Sequence, residues 1–143
     1  MKFFTAGFSL LELLITLSII AIIAAVAYPA YQQHLSTARR SEGQVALLEL
    51  AQKMERYYAE HNSFIGASLE SVGSATTSGD NPKEAYYQLA VSNTTATSFE
   101  IIATPTAAQM NQDKRCGILA INELGQKGIL KNGQSFEAAP SCW

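Results

Sequence analysis

The residue in this sequence whose setting most demands a chemical explanation is Glu12. It stands in the stretch Gly7-Phe8-Ser9-Leu10-Leu11-Glu12-Leu13-Leu14, and from Leu13 to Ala27 only Thr16 and Ser18 are polar. Counted from Phe8, the apolar run is about 20 residues long, enough for a helix to cross a hydrocarbon core about 30 Å thick. A carboxylate inside such a run costs on the order of 3 kcal/mol or more to bury and marks a functional position. Its candidate partner lies just upstream. If the chain is cut after Gly7, Phe8 gains a free positive amine four residues from Glu12. Within one helix the two groups share a face. Between staggered copies, the amine of one neutralises the Glu12 of another, and the carboxylate becomes a register mark in an assembly. An ordinary secretory signal is the alternative, with Ala25-Val26-Ala27 as its small-x-small cleavage site and Tyr28 as the first mature residue. Against it stand the acid in the apolar region, a run at or above the usual length of about 15 residues, and Lys2 as the one charge preceding it.

The last third of the chain holds a second set of residues with chemical potential. Lys114, Arg115, Lys127 and Lys131 could face phosphates, and Trp143 could stack on a base. Scattered solubilising charge is the plainer reading, because from His61 onward five Lys/Arg face seven Asp/Glu. The formal charge of the whole chain is −2, which argues against bulk attraction to nucleic acid or an anionic membrane face. Two cysteines, Cys116 and Cys142, read as one disulfide in an exported chain; free thiols or two metal ligands are the alternatives. Such a bridge would contribute about 3 to 4 kcal/mol by loop closure. His34 and His61 have no companion at metal-ligand spacing. No phosphate loop, G-x-S-x-G, H-E-x-x-H or cysteine–histidine constellation is present. The sequence therefore predicts neither catalysis, nor a cofactor, nor a metal.

The stretch Gly7 to Glu12 closely resembles the processing motif of type IV pilins, and Met1 to Ala6 resembles the short leader of their type IVa class. The resemblance implies cleavage after Gly7 by a prepilin peptidase, N-methylation of Phe8 by the same machinery, and docking of each subunit into a filament guided by Glu12. It implies a proline kink at Pro29 and a disulfide-bounded loop near the C-terminus. It also implies an inner-membrane, single-pass state before assembly and an extracellular pilus after it, with other pilin subunits as partners. The ending Ser141-Cys142-Trp143 is similar to a group of minor pilins that includes DNA-uptake receptors. The expected function is thus a type IV pilus subunit, minor rather than major, serving adhesion, twitching motility or DNA uptake. A surface DNA-binding pilin and a type II secretion pseudopilin are the alternatives.

Elements to position these residues can be read from the chain. Its 143 residues suit one compact domain. The divisions expected are a leader at 1–7, an apolar helical half at 8–30 and a globular domain at 31–143. The helix should run from Phe8 to about Glu60, roughly 80 Å. Its second half is amphipathic: Leu47, Leu50, Met54 and Tyr57 recur at helical spacing, and Arg39, Arg40, Glu42, Glu49, Lys53, Glu55 and Arg56 supply a wet face. Arg39-Arg40 would then meet an adjacent subunit's acids or lipid head groups. A Ser/Gly/Thr-rich connection, His61 to Ala85, should pack down partly through Phe64, Ile65, Leu69 and Val72. Strands are predicted at Tyr86 to Val91, Ser98 to Thr104 and Cys116 to Asn122, with a short fourth at Gln126 to Leu130. The fold class is α+β: the type IV pilin fold, a long N-terminal helix packed on an antiparallel sheet of about four strands.

Overall fold

The computed structural model describes residues 8–79, 81–133 and 135–143; the expected leader, with Lys2 and Gly7, lies outside them. The chain divides into two compact units, Met1–His34 and Leu35–Trp143. Helix α1, Leu10–His61, belongs to both, and Pro29 lies inside it.

In the first unit the apolar side chains stand open, with Ile22 68% and Val26 73% exposed. A surface of that kind needs lipid or other helices to cover it. The two polar residues within its apolar run already suit such cover. Thr16 Oγ1 donates to the Leu13 carbonyl at 2.9 Å and Ser18 Oγ to that of Leu14 at 2.8 Å. Neither needs water, the condition for a helix in hydrocarbon.

In the second unit α1 buries Ser36, Gly43, Leu47, Leu50 and Met54, at helical spacing, so that they form one stripe. The stripe packs on a five-stranded meander: β1 (Tyr87–Thr94), β2 (Phe99–Pro105), β3 (Ile118–Asn122), β4 (Lys127–Lys131) and β5 (Ser135–Ala138). Every neighbouring pair is antiparallel. Leu89, Ala103, Leu119 and Ile129 make one cross-strand row, and Val91, Ile101 and Ile121 the next. These are the faces that alternation predicts. From the connection, Phe64 and Ala67 enter the core, but Ile65 is 65% exposed.

Two elements exceed the expectation. Helix α2 (Ala107–Gln112) fills the link between β2 and β3. The fifth strand, β5, is an edge strand with no buried residue; only pairing to β4 defines it, so hydrophobic alternation could not reveal it. A 3₁₀ turn, Pro140–Cys142, then brings Cys142 to its disulfide with Cys116.

Helix and sheet approach closely at Gly43. A Cβ there would stand 2.8 Å from the Tyr87 ring, so no larger residue fits without displacement. Tyr87 is fully buried, and its hydroxyl accepts from Gln109 Nε2 at 3.3 Å. Burial raises the Tyr87 pKa above its ordinary 10.0, and the negative charge of Asp113 adds to this; the Gln109 hydrogen bond and Arg40 oppose it. Above about pH 10 the unfolded chain releases this proton while the folded chain keeps it, so stability falls as pH rises. Tyr87→Phe is therefore expected to flatten the alkaline loss of stability, measured by urea unfolding at about pH 9 and about pH 11. An equal loss in both proteins would refute the assignment.

Candidate functional site

The connection between α2 and β3 and the hairpin between β4 and β5 form the walls of a groove of about 750 Å³. Lys114, Arg115 and Lys131 line it, over an apolar floor that includes Ile118, Ile129 and Leu130. All three cationic residues are exposed. Their convergence comes from topology: the β3–β4 and β4–β5 pairings lay Ile118 beside Leu130 and Lys131 beside Ser135. A left-handed backbone at Asn132 and Gly133 turns the hairpin. One acid also lines the groove: Glu137, whose carboxylate accepts from Lys131 Nζ at 3.1 Å. Sequence reasoning passed over Glu137 because nothing marks it until β5 exists.

Lys127 does not join this cluster. It begins β4, four residues before Lys131, which sets the two about 13 Å apart along the strand. Its ammonium lies 5.6 Å from the centroid of the Trp143 ring. Trp143 itself is half-buried against the core, and its Nε1 donates to the Gly128 carbonyl at 2.8 Å. It is a packed anchor committed to β4, not a stacking platform over the groove. The Cys116–Cys142 bridge fixes this C-terminal segment, and Gln44 Nε2 ties it to α1 through the Cys142 carbonyl at 2.7 Å.

Arg40 holds the cationic loop from beneath. Its Nη1 donates to Asp113 Oδ2 at 2.7 Å and lies 3.1 Å from Cys116 Sγ, with both ion-pair side chains nearly dry. Asp113 and Cys116 are the residues flanking Lys114-Arg115, so one guanidinium fastens both ends of that pair. Neighbouring Arg39 lies 4.1 Å over the Tyr86 ring and donates to Gln112 Oε1 at 3.0 Å. The expectation that Arg39-Arg40 would face another subunit or lipid is thus corrected: both are engaged within this chain. The signal was available, because Arg40 falls on the stripe Ser36, Gly43, Leu47, Leu50, Met54 rather than on the wet face.

In the first unit, Glu12 lies in the first turn of α1. The unpaired backbone N–H groups of that turn favour an anion. Glu12 has no hydrogen-bond or ion-pair partner among the described residues. Phe8, 81% exposed, precedes the helix.

Comparison with known proteins gives two family matches. Residues 29–120 match the model described as type IV minor pilin ComP, DNA uptake sequence receptor, and residues 4–28 match the prokaryotic N-terminal methylation motif. The first match includes Lys114 and Arg115 but ends before Lys127, Lys131 and Glu137. Among solved structures, the non-core minor pilin PilV of Neisseria meningitidis is similar at 24% identity and a TM-score of 0.53, over 73% of this chain and 95% of that one. A type IV pilin from Shewanella oneidensis aligns at 22% identity and a TM-score of 0.48, over 76% of this chain and 97% of that one. No curated protein matches the chain. At 24% identity the likeness to PilV speaks for the fold alone.

The Arg40–Asp113 pair carries a stability consequence. Arg40→Met leaves the Asp113 carboxylate buried without its partner and is expected to cost about 3 to 5 kcal/mol. Replacing Asp113 by Leu in the same chain should recover most of that loss, since the uncompensated charge is then gone. Denaturant midpoints of the single and double variants test this, and additive losses would contradict it.

Proposed function

This chain belongs to the ComP family of type IV minor pilins, and from that membership we propose that it works as a filament subunit matured at Phe8. Residues 1–7 are the leader, residues 8–30 the membrane and filament-core half of the helix, and residues 31–143 the globular domain. A prepilin peptidase cuts after Gly7 and methylates Phe8. The chain waits in the inner membrane as a single-pass protein and then enters an extracellular pilus with other pilin subunits. It is a substrate and a building block, not a catalyst.

The observation that carries this reading is Glu12: an acid without a partner among the described residues, in an apolar run whose polar residues Thr16 and Ser18 bond to carbonyls of their own helix. A charge in that position needs an external cation, and the amine of a neighbouring Phe8 supplies one at the depth of the membrane. Pairing removes the cost of the lone carboxylate, while burial of the open apolar side chains drives association. Pro29 removes one backbone hydrogen bond from α1 and provides a bending point.

A second reading concerns DNA. The matched family model describes a DNA uptake sequence receptor, and the groove gathers Lys114, Arg115 and Lys131. We read the groove as the contact for DNA phosphates. A net charge of −2 does not preclude this, since the local cluster rather than the total sets the field at the groove.

Two outcomes test these readings. Sheared filaments should contain this chain beginning at Phe8 with one added methyl, and Glu12→Ala should abolish its incorporation while the processed subunit persists in the membrane. A mature start at Tyr28, or undiminished incorporation of Glu12→Ala, would overturn the filament reading. For DNA, the full chain in uncharged detergent should retain duplex at low salt, with affinity falling by a log–log slope of about −0.9 per phosphate contacted. Changing Lys114, Arg115 and Lys131 together to Gln should remove that retention; Lys127→Gln should change it less.

A further inference from the structure

The carboxylate in the groove is out of keeping with its neighbours. Glu137 shares a wall with Lys131, and its carboxylate accepts from that ammonium at 3.1 Å, where a phosphate oxygen would compete for it. The strand pairing places them there: Glu137 lies opposite Ile129 and Ser135 opposite Lys131, so both charges stand on one face of the hairpin. The pair is wet, with side chains 64% and 52% exposed. It therefore belongs to the weak class of surface ion pairs, easily opened and strongly screened by salt. It contrasts with the dry Arg40–Asp113 pair, 12% and 9% exposed, which is built to stay closed. A structural clamp and a displaceable counter-ion thus flank the same cationic loop.

We propose that Glu137 is a built-in competitor for the phosphate position: it holds Lys131 until a polyanion displaces it, and so limits how tightly the groove takes duplex DNA. This rests on the DNA reading of the groove. When Lys131 exchanges a carboxylate for a phosphate, the freed Glu137 takes up a salt cation. That uptake offsets the counter-ion released from DNA, so Lys131 adds little to the salt dependence while Glu137 is present. Without the carboxylate, Lys131 contributes a full contact. Restraint of this kind trades affinity for selectivity, since a ligand must offer enough phosphates in the right places to outbid an internal acid.

The experiment uses the full chain in uncharged detergent, with a fluorescent duplex, over a salt series. Four proteins are compared: wild type, Glu137→Gln, Lys131→Gln and the double variant. Glu137→Gln is expected to bind about two- to five-fold more tightly at low salt, the range set by an exposed ion pair. Its log–log salt slope should steepen by about 0.9, one additional contact. In the Lys131→Gln background the Glu137→Gln change should give no such gain. Denaturant midpoints that agree within error support the same reading, because an exposed pair holds little of the fold. If wild type binds and Glu137→Gln binds equally or less well, the proposal is overturned and the groove reading survives. If the gain persists without Lys131, the acid acts through bulk charge, and the proposal again falls. If neither wild type nor Glu137→Gln retains DNA at low salt, the groove reading itself fails and takes the proposal with it.

Discussion

Arg40 stands on the stripe of α1 that faces the sheet, with its side chain 12% exposed, and a guanidinium there is tolerable only with acceptors in reach. Asp113 supplies a carboxylate at 2.7 Å and Cys116 a sulfur at 3.1 Å. Both acceptors lie on the segment that joins α2 to β3, so the need to satisfy one buried cation ties helix to sheet. The disulfide then carries the tie on to the C-terminus, and Gln44 closes the circuit back to α1. Polar connections around an apolar stripe give a small domain a fixed arrangement that its modest core alone would specify weakly.

The N-terminal segment obeys the opposite rule. Its Thr16 and Ser18 hydroxyls are satisfied locally, its apolar side chains are open, and its acid has no partner among the described residues. A segment like this has its energetic minimum in company, whether lipid or sister helices. Arg40 and Glu12 thus pose the same problem: one charge is neutralised within the fold, and the other has no partner among the described residues. Solvation cost drives both.

The charge distribution of the second unit makes a related point. Acids outnumber bases in it, yet three cations converge on one groove because a meander returns the chain to the same end of the sheet. Screening limits electrostatic reach to about 8 Å at physiological salt, so local placement decides what the surface attracts. Lys127 shows the converse, separated from the cluster by the length of one short strand and set against Trp143 instead.

Much of this protein could be read from the chain. The apolar run with its acid, the processing stretch and the membership in the pilin fold are local patterns, written in consecutive residues. So are the helical stripe through Leu47, Leu50 and Met54 and the alternation of β1 to β4, since periodicities of 3.6 and 2 are properties of neighbouring positions. The cysteine pair was legible because two thiols with no C-x-x-C spacing and no histidine nearby have few other fates. Tertiary structure alone decided the rest. Asp113 lies 73 residues from Arg40, and no local pattern names a partner at that range. The edge strand β5, and with it Glu137 in the groove, exists through hydrogen bonds to β4 rather than through any burial pattern of its own. Sequence determines which side chains prefer water and which avoid it; which charges end within reach of one another depends on how the strands return.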